Sequence, residues 1–237
     1  FLFVPDLPSK LQFIKYIIAG ILASILFLSY IVIYWHFRKT RSLKLKINNT
    51  NVNVFFGDIF KQKGKKVIAF NEYFDTQVDD HIITHTSLNG QVIDNKYIKK
   101  SQFDKSVEQN MSLKKGEFCN ERKVGKKQKY HLGQIQEFDE YFALSFSRFT
   151  ANNEAYLYSN DYACCLLEMW KNLNCYYAQS VVNIPLLGDG ITRIKDNQNV
   201  TKQELLEIML ETLKISKMTF KEPSKINIVL YLSLIHI

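Results

Sequence analysis

Ser180-Val-Val-Asn-Ile-Pro-Leu-Leu-Gly-Asp-Gly-Ile-Thr192 runs an apolar strand straight into a loop with glycines at positions 188 and 190. Val181, Val182, Ile184, Leu186 and Leu187 are a short β-branched and aliphatic run bounded by Gly188, the pattern of a strand buried on both faces. The next helix is signalled by Thr201-Lys-Gln-Glu204, a capping box ahead of Leu205, Leu206, Ile208, Met209 and Leu213 at helical spacing. Strand, glycine loop and helix make an anion site where the loop amides or the helix N-terminus face the ligand. Gly-Asp-Gly alone is also what ordinary turns use, so the rest of the chain must supply the context.

Working outward, strands and helices alternate. Asn51–Phe56, Lys66–Phe70, Tyr141–Phe149, Val181–Leu187 and Lys225–Tyr231 read as strands, and Asp161–Leu173 and Thr201–Lys217 as helices. This order predicts one α/β domain with a mixed sheet and right-handed crossovers. The lysine-rich stretch 99–129, with Gly116 and Gly125, is expected to be the least ordered part, a solvated helix and hairpin rather than a basic binding patch.

Upstream, the twenty residues Tyr16–Trp35 carry no formal charge and end in aromatics, with Phe37 just beyond. At 1.5 Å per residue they cross a hydrocarbon core of about 30 Å. A secretory signal would have a shorter apolar core and a small-residue cleavage site, and a buried core helix is the remaining alternative. Residues 1–46 hold seven Lys or Arg against one acid, while residues 47–237 hold 24 basic and 22 acidic residues, so the net charge of +8 is mainly juxtamembrane. Arg38, Lys39, Arg41, Lys44 and Lys46 follow the span, against Lys10 and Lys15 before it, which places the C-terminal part in the cytoplasm. With the rest near neutral, no nucleic-acid partner is expected and the lipid bilayer is. Cys119, Cys164, Cys165 and Cys175 have no zinc spacing and read as reduced, mostly core thiols. His81 and His85 lie four apart without a third ligand, so ordinary surface histidines are expected and no metal. Gly20 and Ser24 form a small-xxx-small pair that permits close helix contact in the bilayer.

Two further segments bear on ligand chemistry. Gly57-Asp58-Ile59 ends one strand, where a carboxylate accepts from an amine or a hydroxyl, or simply caps a turn. Asn71 ends the next, in Val67-Ile-Ala-Phe-Asn-Glu-Tyr-Phe-Asp-Thr76, where its amide holds a sugar hydroxyl or closes an Asx-turn.

The order of these segments resembles the macro domain. Gly57-Asp-Ile-Phe60, Val67–Asp75, Ser87-Leu-Asn-Gly90, Tyr130-His-Leu-Gly133 and Leu187–Thr192 are similar, more narrowly, to the membrane-anchored macro-domain effectors of Thoeris antiphage defence, over residues 50–231. The resemblance implies a macro-type three-layer α/β/α domain with a mixed sheet, preceded by an N-terminal transmembrane helix. The corresponding organisation is a segment at 1–15, a span at 16–37, a basic linker at 38–47 and a ligand-binding domain at 48–231. Residues 232–237 resemble a translated sequencing adapter and are expected to be non-native, and the start at Phe1 is expected to be a cut end.

By the same resemblance, Asp58 takes the adenine amine with Ile59 beside it, and Asn71, Asp75 and Thr76 line the distal ribose. Leu187, Gly188, Asp189, Gly190, Ile191 and Thr192 wrap the diphosphate. The implied ligand is an ADP-ribose derivative, of the histidine-linked type, made by a TIR-domain partner, and no cofactor is expected. Binding is implied to drive homo-oligomeric assembly and membrane disruption. An ADP-ribosyl hydrolase is the enzymatic alternative, but the run Glu72–His81 lacks the glycines usual there, so Glu72, Asp75, Asp79 and Asp80 read as caps and solvated charges and no catalytic residue is expected. A tethered adaptor that binds protein through the same fold is the third reading.

Overall fold

A computed structural model describes residues 9–39, 42–95, 97–150, 152–190, 192–197 and 199–231, in two compact units divided between Arg41 and Ser42. The first unit contains helix α1 (Ser9–Lys39), in which the window Tyr16–Trp35 has a mean hydropathy of 2.5 and no buried residue. A helix that is apolar all round has no polar face to turn toward water. Among the described residues it is the one helix long and apolar enough to cross a membrane. Its two serines return their hydroxyls to the helix itself, Ser24 to the Gly20 carbonyl and Ser29 to the Leu26 carbonyl, both at 2.8 Å. Neither serine hydroxyl then needs water.

The second unit is built on a mixed sheet. Its strands are β1 (Ser42–Ile47), β2 (Thr50–Phe56), β3 (Lys65–Asn71), β6 (Ile135–Phe138), β7 (Tyr141–Phe149), β8 (Ala155–Leu157), β9 (Val182–Pro185), β10 (Arg193–Ile194) and β11 (Ile226–Leu230). They lie in the order β1-β2-β11-β9-β3-β7-β8-β10, with β6 also on β7. From β2 to β7 every neighbour is parallel, the outer strand β1 on β2 and both β6 and β8 on β7 are antiparallel, and β10 is parallel to β8. A separate hairpin joins β4 (Lys115–Phe118) to β5 (Gln128–Tyr130). The helices are α2 (Leu88–Asp94), α3 (Lys100–Gln109), α4 (Ser159–Tyr176) and α5 (Lys202–Ser216).

Strand alternation decides which helices cover which face. On β7, Phe142, Leu144 and Phe146 join Leu166, Met169 and Trp170 of α4 and Met209 and Leu213 of α5 in one core. Tyr141 and Ala143 instead join Ile68 and Phe70 of β3 and Phe103 and Val107 of α3 in a second core. The result is helix, sheet, helix. The Trp170 indole, fully buried, donates to Thr212 Oγ1 at 3.1 Å and ties α4 to α5. Such a donor would be costly to leave unpaired.

The face of β2, β11 and β9 opposite α4 and α5 carries an amide ladder. Asn53 donates to Asn227 at 3.1 Å, Asn227 to Asn183 at 2.8 Å, and Asn183 to the carbonyls of Lys63 and Lys65 at 3.0 and 3.1 Å. The parallel register sets these residues side by side. Three in-register amides therefore satisfy one another.

The strands and helices expected from periodicity are present, with ends moved by a few residues. Val181–Leu187 shortens to β9, because Leu186 and Leu187 already belong to the loop. Lys99–Lys129 contains α3 and the β4–β5 hairpin. Within 38–47, expected to be a linker, Ser42–Ile47 instead forms the edge strand β1 on β2. Its Ser-Leu-Lys-Leu-Lys-Ile order sends Leu45 and Ile47 onto the core and the lysines to the other face. His81 and His85 fall in an irregular loop, neither helix nor strand. The expectations for residues 1–8 and 232–237 lie outside the described residues.

Candidate functional site

Parallel pairing brings the carboxyl ends of β2, β11, β9, β3 and β7 to one edge of the sheet, where ligands bind in open α/β folds. Among the described residues β9 pairs with β3 only at Lys65↔Val182 and Lys66↔Asn183, whereas β3 continues along β7 as far as Asn71. Pro185, which has no N–H, ends β9. The two central strands thus part company toward that edge. Gly57 follows β2 there, its N–H on the Leu230 carbonyl at 2.9 Å.

Asp58 caps the short 3-10 turn Ile59–Lys61, its carboxylate accepting from the Phe60 N–H at 2.9 Å. The second oxygen faces Lys61 at 3.8 Å with the side chain 40% exposed, so Asp58 combines the cap with an outward-facing acceptor. Ile59 is buried.

Asn71 closes an Asx-turn. Its Oδ1 accepts from the N–H groups of Tyr73 and Asp75 at 3.1 and 3.2 Å, and its amide donates to Asp75 at 2.9 Å. Asp75 is 1% exposed and also receives Arg122 Nη2 at 2.6 Å and the Lys126 N–H at 2.8 Å. The Arg122 guanidinium lies 3.9 Å from the Tyr73 ring centre. Thr76 donates to Asp104 at 2.9 Å. The three residues expected at a ribose are therefore brought together, but under the 119–126 loop and bonded to protein. Arg122 is the residue that local reading misses, because within a lysine-rich stretch nothing marks it out.

The glycine loop is arranged differently. Gly188 adopts φ +88°, the left-handed region open to glycine. The Asp189 N–H turns back to the Leu186 carbonyl at 3.4 Å, while among the described residues the N–H groups of Gly188 and Gly190 meet no protein carbonyl. The buried Tyr162 hydroxyl donates to the Leu187 carbonyl at 2.9 Å, pinning the loop to α4, and burial pushes that phenol well above its usual range. Asp189 pairs with Lys202 at 2.9 Å. The α5 terminus is closed by its own capping box, Thr201 Oγ1 accepting from the Glu204 N–H at 3.2 Å and Glu204 from the Thr201 N–H at 2.7 Å. Those bonds hold the Glu204 carboxyl below its usual range. An anion at this edge would thus meet the loop amides rather than the helix end. Leu187 is buried, Thr192 is partly exposed and Ile191 lies outside the described residues.

The carboxylates weighed for hydrolysis are all engaged. Glu72 accepts from the Phe149 N–H at 3.3 Å and pairs with Lys129 at 3.3 Å. Asp79 caps Ile82 at 2.7 Å, and Asp80 accepts from the His85 N–H at 3.0 Å. His85 sits 2.5 Å from Asp94, a bond that raises its pKa. No group of three His, Cys, Asp or Glu is placed to hold a metal among the described residues. The cysteines are free, and burial pushes the Cys165 thiol to about 12, too high for a nucleophile.

Residues 52–231 match the family described as Thoeris protein ThsA, Macro domain. The chain belongs to the ThsA macro-domain family. It is 44% identical over 195 residues to Thoeris protein ThsA of Bacillus amyloliquefaciens (strain Y2), a match that covers 80% of this chain and 65% of that protein. The chain thus matches less than two thirds of its curated relative. An Oceanobacillus iheyensis macrodomain mutant solved with ADPR superposes with a TM-score of 0.50 at 12% identity, covering 81% of this chain and 91% of that one. At that identity the likeness establishes the fold, a macrodomain with a mixed sheet.

Proposed function

We propose that this ThsA-family chain is a membrane-anchored sensor whose macro domain binds an ADP-ribose-derived nucleotide, of the histidine-linked type, at the carboxyl edge of its sheet. The observation that carries the reading is the loop after β9, where among the described residues the Gly188 and Gly190 N–H groups meet no protein carbonyl, beside an opening between the central strands. Such amides are the natural partners of a diphosphate. Asp58 supplies an outward acceptor for the adenine amine. Asn71, Asp75 and Thr76 act on the ribose end through the loop they hold together. The signal comes from a TIR-domain partner, and α1 anchors the domain at the cytoplasmic face of the inner membrane. Ligand that prefers one assembly over another biases the chain toward an oligomer that disrupts the bilayer.

The chain acts as a sensor rather than a hydrolase, because each candidate acid in Glu72–Asp80 is already spent on an ion pair or a loop amide. Calorimetric titration of the full chain in nanodiscs with ADP-ribose, histidine-linked ADP-ribose and NAD, with chromatography of the ligands afterwards, tests this. Tight binding with ligand recovered intact is expected. Release of ADP-ribose from a conjugate would establish the hydrolase instead, and silence with all three would leave the protein-binding adaptor.

A further inference from the structure

Strand β1 presents two unlike faces. Leu45 and Ile47 pack on the core, while Lys44 and Lys46 stand exposed on the opposite face. The antiparallel register sets Lys44 beside Asn53 and Lys46 beside Asn51 of β2. Across β2, Asn227 of β11 is level with Asn53 and takes its amide at 3.1 Å, so the two share that face. Two residues earlier in the same extended run, the exposed Lys225 alternates onto it as well, level with Asn51. Lys44, Lys46 and Lys225 therefore stand on one polar surface, with the asparagines between them.

These lysines differ from their neighbours in what they meet. Lys61, Lys65, Lys66 and Lys214 each have a carboxylate partner. Among the described residues Lys44, Lys46 and Lys225 have none, and the Glu222 carboxylate close by accepts from the Asn51 amide at 3.1 Å. A face of one sign without counter-ions attracts an anionic partner. Chain connectivity says which partner is at hand. Only residues 40 and 41 separate Lys39, the end of α1, from Ser42, the start of β1. At no more than about 3.6 Å per residue, so short a linker keeps β1 close to where the span leaves the bilayer.

We propose that the face carrying Lys44, Lys46 and Lys225 docks on anionic phospholipid headgroups, giving the macro domain a reversible contact with the membrane besides its anchor. The inference rests on reading α1 as that anchor. The lysines are spread over two strands rather than converging on one point, which suits a layer of phosphates and not a single anion. A second copy pairing along the β1 edge is opposed by the same lysines, the usual guard of an edge strand. Each lysine near an anionic surface favours it about fivefold, and the tether makes those small preferences act together.

The test is acylation of the full chain in nanodiscs with an amine-reactive ester, read lysine by lysine by peptide mass spectrometry. Lys171 of α4, 62% exposed and across the sheet, is the internal reference. Discs containing phosphatidylglycerol are expected to slow Lys44, Lys46 and Lys225 at least about fivefold relative to Lys171, and phosphatidylcholine discs to leave the ratios unaltered. Added salt should abolish the difference. Lys225 decides the matter, because it lies far along the chain from the span and only docking brings it to the lipid. The double substitution Lys44→Glu and Lys46→Glu should return Lys225 to its rate in phosphatidylcholine. Protection of Lys44 and Lys46 without Lys225 would reduce the effect to the tether and overturn the docking. Equal protection in both lipids would overturn it in favour of a second copy on the β1 edge, and no protection in either would overturn it outright. Release of the chain from vesicles by alkaline carbonate would instead defeat the anchor reading, and the docking with it.

Discussion

Replacing the two glycines of the 188–190 loop separately should split stability from binding. At Gly188, φ is +88° and an added Cβ would stand 3.1 Å from Leu205 Cδ2. An L-residue held in the left-handed region costs roughly 1–2 kcal/mol, and the Leu205 methyl must also give way. At Gly190 an added Cβ meets no protein atom within 4 Å. Where the backbone suits an L-residue, replacing glycine restricts the unfolded chain and adds about 0.4–1 kcal/mol of stability. Gly188→Ala is therefore expected to destabilise by about 1–2 kcal/mol, and Gly190→Ala to be neutral or slightly stabilising. Gly190→Val keeps the fold but fills the space in front of the loop amides. ADP-ribose affinity should fall about a hundredfold, roughly 2.8 kcal/mol. Denaturant unfolding in a Trp35→Phe background makes the fully buried Trp170 the sole tryptophan reporter, and calorimetry supplies the affinities. Wild-type affinity in Gly190→Val would mean that the loop does not face the diphosphate. An unfolding midpoint as low as that of Gly188→Ala would mean that the open space beside Gly190 is not there.

Arg122→Ala should destabilise by about 3–5 kcal/mol in urea unfolding, since it strands the buried Asp75 carboxylate. Arg122→Lys should recover little of this, because it loses the fork and the stacking on Tyr73; full recovery would show that charge alone matters. Asn227→Ala breaks the amide ladder on both sides and should cost about 1–3 kcal/mol by the same assay. His85 should titrate above the ordinary 6.5 in NMR spectra, chiefly through its bond to Asp94, and Asp94→Asn should bring it down. Because the folded value is the raised one, the pair stabilises fully below pH 6.5 and loses its contribution as pH rises through the elevated value; an unmoved titration in Asp94→Asn would refute the pairing.

Much of the fold is legible locally because periodicity is a local property. Two-residue alternation in Tyr141–Phe149 assigns Phe142, Leu144 and Phe146 to one core and Tyr141 and Ala143 to the other, as found. The capping box at Thr201–Glu204 marks the start of α5. The apolar run Tyr16–Trp35 marks the candidate span. β1 was hidden by its lysines, whose charge reads as juxtamembrane linker although their spacing is that of an edge strand.

The sequence by itself determined the element order, the strand-to-glycine-loop segment and the carboxylate and amide at the ends of β2 and β3, since each is written in neighbouring residues. Tertiary structure alone decided which of those groups are available. Asn71 and Asp75 are sealed by Arg122, 47 residues away from Asp75, while among the described residues the Gly188 and Gly190 amides meet no protein carbonyl. A cleft beside α4 likewise joins Glu72, Arg148 and Asp161, which no local pattern connects. A charge finds its partner by proximity in the folded chain, and in a parallel sheet that proximity is set by crossovers that carry the chain far along the sequence before returning it.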